Sequence, residues 1–544
     1  MRQHHIPLFT WENYHSVADF DMIGFTLQYE MSFTNILNML DLAGLPVLRA
    51  EREELPCCPL VIAGGPCAYN PEPLADFIDL FILGEGEEVD LELLDLWVQV
   101  KQELGGNSPA ARAIFLERAC QISGVYVPKF YQPVYDETGK LVRMDVDELA
   151  PKQIYKRIIK DLDEVSFPTK PIVPFIPIVH DRVVLEVMRG CNRGCRFCQA
   201  GVIYRPVREK SVEVLREQAA AAVAASGYDE IGMISLSTAD YSCVEPLIDV
   251  LMEDHKQDGV SVSLPSLRVD AFSVDLAKKV QQVRKSGLTF APEAGSQRLR
   301  DVINKGVTEE NIIEAVSSAL SNGWQTIKLY FMAGLPYETE EDLDGIYQIA
   351  AKIIQVNREL QAGKKYRPIH LTVSVSFFVP KAHTPFQWFG QVSREELLAK
   401  REYLYQKFRH LKQARLSCHG VDVSFLEAVF SRGDRRLGVV LKRAWELGCK
   451  FDGWTEHFSY DRWLAAFADC GMEPADFANH HFAKEDLLPW DHLATGVKKS
   501  WLWQEWEKAR QAVVTPDCRQ QKCSGCGVCG AMKCNNHYQR KTES

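Results

Sequence analysis

The chain reads as an α/β protein: a partial (β/α)6 TIM-like barrel, preceded by an incomplete Rossmann-like α/β domain and followed by a mainly helical C-terminal region. Three observations predict it. Helix-like segments end at Gly227, Gly259, Gly287 and Gly323, and an apolar strand follows each within a few residues. The spacing between these units is about thirty residues, the period of a strand-plus-helix repeat. From Asp21 to about Leu104 short apolar strands again alternate with amphipathic helices, and beyond Glu395 the pattern turns helical.

Composition bounds the rest. A chain of 544 residues, 46% hydrophobic and 25% charged, has room for two to four domains and a sizeable core. A net charge of −11 supplies no global attraction to nucleic acid, although a local basic groove stays compatible with it. Met1-Arg2-Gln3-His4-His5 opens no signal-peptide pattern and no apolar run is long enough to span a membrane, so a cytoplasmic protein is expected. Sixteen cysteines, many in two tight groups, point to metal ligation in a reducing compartment rather than to disulfides.

Residues 1–105 carry strands at Met22 to Leu27, Leu60 to Ala63 and Leu80 to Leu83, with helices at Ser32 to Leu42 and Glu87 to Leu104. The pattern starts mid-way, so the first strand-helix units of this domain are expected to be missing. Gly64-Gly65-Pro66 and Gly84-Glu85-Gly86 fit a ligand at strand ends, or simply tight βα turns. Residues 106–178 form a bridge: a Gly-Asn-Ser-Pro linker, a helix from Ala110 to Ile122, and a hairpin from Gly124 to Val142 turning at Asp136-Glu137-Thr138-Gly139. In the barrel, residues 179–394, six strands are countable: Val183 to Met188, Ile231 to Leu236, Val260 to Leu264, Leu288 to Ala291, Thr326 to Phe331 and Leu371 to Phe378. Thr308 is placed to cap a helix whose buried stripe is Ile312, Ile313, Val316 and Leu320.

Chemistry in such barrels collects at the C-terminal ends of the strands. The first strand runs into Arg189-Gly190-Cys191-Asn192-Arg193-Gly194-Cys195-Arg196-Phe197-Cys198, with cysteines spaced C-x3-C-x2-C. Three thiolates from one loop can ligate three irons of a 4Fe–4S cluster and leave the fourth iron open to a substrate. Zinc usually takes paired C-x2-C units with further ligands elsewhere, and buried thiols need no fixed spacing; both fit the pattern less well. After the later strands come Ser237-Thr238-Ala239-Asp240, then Ser266 and Arg268, then Glu293, then Gly334, and finally Lys381 and His383. Glu293 can accept from hydroxyl or amino groups, Arg268 or Arg298 can face a carboxylate, and Gly334 lets the backbone approach a ligand. The plain alternatives are surface ion pairs, a helix N-terminal charge and a turn.

The C-x3-C-x2-C loop with Phe197 before its last cysteine resembles the radical S-adenosylmethionine (radical SAM) enzymes. The resemblance implies that Cys191, Cys195 and Cys198 ligate the cluster and that Phe197 neighbours adenine. It further implies that SAM chelates the open iron and is cleaved to a 5′-deoxyadenosyl radical, with electrons from a flavodoxin or ferredoxin. It marks Ser237, Thr238, Asp240 and Glu293 as SAM-contacting positions, to which the strand-end reading adds Arg268 and Gly334. Residues 1–105 are similar to the cobalamin-binding-like domain fused ahead of the barrel in one subgroup, which implies cobalamin as a further cofactor. This sequence departs from that pattern: it has no Asp-x-His-x-x-Gly loop to supply a histidine to cobalt, so a purely structural domain is the alternative.

Residues 395–510 read as helical, starting with a charged helix from Glu395 to Leu416. The arginines of Arg432-Gly433-Asp434-Arg435-Arg436 suit a phosphate or RNA backbone, or more simply a solvated helix start capped by Asp434. Residues 511–544 form a tail with Cys518, Cys523, Cys526, Cys529 and Cys534, spaced for a second iron–sulfur cluster or for zinc. The expected function is radical SAM chemistry on a substrate the sequence does not specify. The competing readings are a methyl- or methylthio-transferase acting on RNA or protein, and a non-catalytic iron–sulfur or zinc scaffold.

Overall fold

The computed structural model describes residues 1–176, 178–263, 287–363, 367–519 and 523–539. The chain divides into two compact units, each assembled from separated stretches of sequence. Unit 1 comprises 1–159, 379–394 and 420–497; unit 2 comprises 160–378, 395–419 and 498–544. The contiguous segments expected from the sequence are thus interlaced. The helices within 420–497 fold with the N-terminal stretch, and the cysteine-rich tail folds with the barrel strands.

Unit 1 is built on a four-stranded sheet. Strands β1 (Met22–Thr26), β2 (Leu60–Gly64) and β3 (Leu80–Ile82) run parallel, and β4 (Val125–Tyr126) closes the edge antiparallel to β3. Gly84 follows β3 with φ +100°, and a Cβ there would stand 2.0 Å from the Arg157 carbonyl oxygen. That glycine serves close backbone packing, the turn reading of the sequence. The hairpin of β5 (Tyr131–Tyr135) and β6 (Leu141–Val146) turns where expected, with Asp136 Oδ1 accepting from the amides of Thr138 and Lys140 at 2.9 and 3.0 Å. Strand β7 (Ile154–Tyr155) pairs with Leu493–Ala494.

The arginines at 432–436 are neither solvated nor available to RNA. Arg432 is buried and donates to the carbonyls of Phe477, Gln387, Phe389 and His480. Arg435 pairs with buried Glu72 at 3.0 Å, and Arg436 pairs with Asp434 at 2.8 Å. Burying a guanidinium satisfies backbone carbonyls that three distant loops leave open, which local charge counting does not reveal. Lys381 and His383 also belong to unit 1, not to the unit that holds the barrel strands. Lys381 bridges Glu30 and Glu427 at 2.6 and 2.8 Å, and His383 Nε2 lies 3.0 Å from the Tyr69 carbonyl.

Unit 2 holds all six barrel strands. Strand β8 (Val183–Glu186) continues into β9 (Met188–Arg189), which pairs antiparallel with β10 (Arg208–Glu209). Strands β11 (Glu230–Ile234) and β12 (Ser261–Ser263) join β8 in one parallel sheet. Strands β13 (Leu288–Glu293), β14 (Thr326–Ala333) and β15 (His370–Phe377) form a second parallel sheet. This is the α/β, barrel-type order expected, present among the described residues as two sheets rather than one closed ring. A seventh strand, β16 (Ala414–Cys418), pairs parallel with β15, so the helix read from Glu395 to Leu416 is in fact shorter, Arg394–Phe408.

The core beneath the first sheet is apolar and dense: Leu185, Val187, Leu215, Ile231, Met233, Leu247, Leu251 and Val262 are all buried together. Thr308 does cap its helix, in a capping box with Asn311, but the buried stripe is Ile312, Ala315, Val316 and Ala319. Ile313 and Leu320 are only half-buried, the small alanines taking the close-packed positions instead. Among the described residues no helix is long and apolar enough to cross a membrane.

Candidate metal and SAM site

The cysteine loop leaves β9 through Gly190, whose φ is +88°. A Cβ at this position would fall 2.6 Å from the Pro206 carbonyl oxygen and 2.7 Å from that of Tyr204, so glycine lets the loop lie against the segment that returns to β10. Cys191, Cys195 and Cys198 are all partly buried. Burial raises the Cys191 thiol above its usual range, and the neighbouring Cys195 adds to this, while Arg205 opposes it. Cys198 is pushed up to about 12 by burial and then by Cys195, against the Gly201 amide and the charge of Lys305. The Gly201 N–H donates to Cys198 Sγ at 3.4 Å. The donor set therefore suits an iron–sulfur cluster: three mutually interacting thiols, an amide on sulfur, and cations that favour the thiolate.

Among the described residues no three His, Cys, Asp or Glu side chains stand ready-made around a metal ion.

Four arginines and an asparagine brace the loop. Arg193 Nε donates to Asp240 Oδ2 at 2.7 Å, and Ser237 Oγ donates to the same oxygen at 2.6 Å. Arg519, from the tail, donates to Asp240 Oδ1 and to its carbonyl oxygen, each at 3.0 Å. Burial alone would raise the Asp240 carboxyl, but Arg193, Ser237 and Arg519 outweigh it and hold the group at about 2. Arg196 is buried against Glu505 at 3.1 Å and donates to the carbonyls of Asp301, Val302 and Val513. Asn304 Nδ2 donates to the carbonyls of Gly194 and Thr515 at 3.0 and 3.1 Å. Arg205 Nε donates to the Cys191 carbonyl at 3.2 Å, and its guanidinium lies 5.5 Å from the Trp501 ring centre.

Of the positions expected to contact SAM, Phe197 is half-buried between Arg196 and Cys198. Glu293 ends β13 at a bulge with φ +68° and pairs with Lys305 at 3.0 Å, the same lysine whose charge acts on Cys198. Ser237 and Asp240 reach the loop, but through Arg193 and Arg519 rather than as free ligand contacts. Thr238 is buried, its hydroxyl 3.0 Å from that of Ser235. Gly334 has φ +79°, and its amide donates to both oxygens of Glu338 at 3.0 Å. Arg298 pairs with buried Asp342, the ion-pair alternative. Arg268 lies outside the described residues. Sequence reasoning missed Arg193, Arg196, Arg205, Asn304, Lys305 and Arg519; the first two stand inside the cysteine motif itself, where arginines flanking each thiol were the available signal.

In the tail, Cys526 is buried, Cys523 is exposed, and Cys518, Cys529 and Cys534 lie between these extremes.

Comparison with known proteins fits this geometry. Residues 1–128 match the family of radical SAM proteins, N-terminal, and residues 185–350 match the radical SAM superfamily. An uncharacterized protein of Methanocaldococcus jannaschii, MJ0966, is 28% identical over 474 residues, 87% of this chain and 91% of that one. An uncharacterized methyltransferase of Pyrococcus horikoshii, PH0819, is 26% identical over 302 residues, 54% of this chain and 58% of that one. The solved radical SAM methyltransferase TsrM of Kitasatospora setae, with cobalamin and a 4Fe–4S cluster bound, is 12% identical with a TM-score of 0.42, covering 91% of this chain and 88% of its own. Residues 185–350 thus form a radical SAM domain, preceded over residues 1–128 by the N-terminal domain of radical SAM proteins, and the chain is an enzyme of that kind, which works with SAM and a 4Fe–4S cluster.

Proposed function

We propose that Cys191, Cys195 and Cys198 hold the 4Fe–4S cluster at the C-terminal end of the first barrel strand. SAM would bind beside it along Phe197, Glu293 and Lys305. The observation that supports this most is the set of three partly buried thiols on one loop, with Arg205 bonded to the Cys191 carbonyl and the Gly201 amide on Cys198 Sγ. Held by Cys191, Cys195 and Cys198, a 4Fe–4S cluster would supply one electron for the reductive cleavage of SAM to methionine and a 5′-deoxyadenosyl radical able to abstract hydrogen from an unactivated C–H bond. The chain's own residues do the rest. Arg205 and Lys305 offset the negative charge of thiolates and sulfide. The Glu293 carboxylate, fixed by Lys305, accepts from the amino or ribose groups of SAM. Phe197 offers an apolar face to adenine, and the buried surroundings keep water from the radical. A flavodoxin- or ferredoxin-type donor delivers the electron.

The test is anaerobic reconstitution with iron and sulfide, followed by dithionite and SAM. We expect 5′-deoxyadenosine from the native chain and none from Cys191→Ala/Cys195→Ala/Cys198→Ala. A fully loaded native cluster that yields no 5′-deoxyadenosine overturns the reading.

A second reading, transfer of a methyl or methylthio group to RNA or protein, draws on the names of the relatives. They include the methyltransferase above and the threonylcarbamoyladenosine tRNA methylthiotransferase MtaB of Aquifex aeolicus, 26% identical over 178 residues. S-adenosylhomocysteine formed alongside 5′-deoxyadenosine distinguishes it. Cobalt content after growth with cobalamin decides whether cobalamin takes part.

A further inference from the structure

The chemistry proposed for the Cys191–Cys198 loop leaves the tail cysteines unused, yet the tail is tied to that loop residue by residue. Three chains of contacts run between the two sets of thiols. In the first, the Lys498 amide donates to the Cys526 carbonyl at 2.9 Å, and Trp501 Nε1 donates to the Ser524 carbonyl at 3.0 Å. The Trp501 ring carries Arg205, which in turn donates to the Cys191 carbonyl. In the second, Arg519, next to Cys518, reaches Asp240, which holds Arg193. In the third, Asn536 Nδ2 lies 3.7 Å from Cys518 Sγ while its Oδ1 accepts from the Val207 amide at 2.9 Å. Two residues on, the Tyr538 hydroxyl accepts from Asn192 Nδ2 at 2.5 Å. Each chain begins within two residues of a tail cysteine and finishes within two residues of Cys191 or on the strand beside it.

Within the tail, Cys523, Cys526, Cys529 and Cys534 form the tighter group. The Cys534 amide donates to the Cys529 carbonyl at 3.1 Å, and the Gly525 amide donates to Cys523 Sγ at 3.4 Å. Cys518 Sγ instead lies 3.7 Å from Asn536 Nδ2, whose side chain reaches Val207 just before β10. Four thiolates at C-x2-C-x2-C-x4-C spacing satisfy a tetrahedral zinc or a 4Fe–4S cluster equally well.

We propose that Cys523, Cys526, Cys529 and Cys534 hold a second metal centre, and that its loading fixes the C-terminal segment which braces the Cys191–Cys198 loop. Cys518 is the spare thiol, lying between the two sites. The proposal rests on the reading that Cys191, Cys195 and Cys198 hold the first cluster. Metal binding to thiolates contributes folding energy, so the tail metal would hold Arg519, Trp501 and Asn536 in place against the loop.

The experiment measures iron and zinc per chain, together with the EPR signal of the reduced first cluster with and without SAM. Proteins are purified from iron- and zinc-supplemented growth and reconstituted anaerobically with ferrous iron and sulfide. The Cys191→Ala/Cys195→Ala/Cys198→Ala chain is expected to keep either about four irons or about one zinc. Cys526→Ala/Cys529→Ala is expected to lose that metal and several-fold of the SAM-responsive EPR signal. Cys518→Ala is expected to keep both metals. Arg519→Gln, which leaves every thiol in place, is expected to keep the tail metal yet weaken the SAM-responsive signal, which guards against misfolding of the double cysteine variant. A signature variant devoid of metal, or a Cys526→Ala/Cys529→Ala chain with native metal content, overturns the second centre. A tail variant that loses its metal with an unaltered SAM-responsive signal overturns the coupling. Failure of the first-cluster reading looks different: the signature variant would then keep all the iron of the native chain.

Discussion

The two units bury charge in contrasting ways. In unit 1 the buried groups are dispersed: His383 and His492 lie in separate packing contacts, Lys381 is closed between two carboxylates, and Arg432 sits among carbonyls. Burial lowers Arg432 to about 9, His383 to about 3 and His492 to about 4. In unit 2 the arginines gather at one short loop that carries three thiols. Arg193, Arg196 and Arg205 each bond to a different neighbour of it. Dispersed burial holds a fold together, whereas convergent pairing shapes one place at which charge is handled. That contrast accords with the proposal that the chemistry lies in unit 2.

The sharpest way to break the contrast is to remove a thiol. Cys198→Ala should lower 5′-deoxyadenosine formation by more than about 100-fold, the upper end of what even outer-shell partners of a metal cost, while the chain stays folded by circular dichroism. Retained activity would detach the loop from the chemistry. Next in size is the Arg196–Glu505 pair, both side chains buried. Arg196→Leu leaves buried Glu505 with Lys508 as its one remaining cation among the described residues and opens the three carbonyls that Arg196 serves, so it should cost about 3–5 kcal/mol in denaturant unfolding, and Arg196→Leu/Glu505→Leu should recover part of it. An equal loss in both variants would show that the arginine's bonds to carbonyls matter more than the pair.

Acid distinguishes the units by their windows. His383 is held neutral well below its ordinary 6.5, so its contribution is complete above pH 6.5 and is lost as pH falls towards 3. Asp240 is held at about 2 against an ordinary 3.8, so its contribution is complete above 3.8 and is lost only as pH falls towards 2. Hydrogen exchange between pH 6.5 and 4 should therefore loosen peptides around His383 before those around Asp240, and His383→Gln should flatten the first change. Simultaneous loosening would mean the two windows do not govern the units. The smallest effect expected is Asp240→Asn, which should lower stability at pH 7 by about 2 kcal/mol, the value of its displaced ionisation. An Asp240→Asn chain as stable as the native one would remove the node from the bracing of the loop.

Much of unit 2 was legible because its signals are local. An apolar strand after a glycine stop marks four of the six barrel strands, and three cysteines at fixed spacing mark the loop. Strand β16 was not legible: Ala-Arg-Leu-Ser-Cys follows a charged helix without glycine or proline, and only pairing with β15 makes it a strand. The interlacing of the units was equally hidden, since Arg435 meets Glu72 across 363 residues of chain and no short-range pattern encodes that meeting. At the site, the polar character of Ser237 and Asp240 was visible, but their partners were not. The sequence suggests a free carboxylate where the fold supplies two arginines.

The Arg196–Glu505 pair spans 309 residues. At a synthesis rate of about 5–20 residues per second, Arg196 leaves the ribosome roughly 15–60 s before its carboxylate exists. During that interval the cysteine loop lacks its brace, and its thiols meet the cell unpaired. A chain cut short before residue 505 would carry the cysteine motif with its Asp240, Arg205 and Asn304 contacts but without this brace.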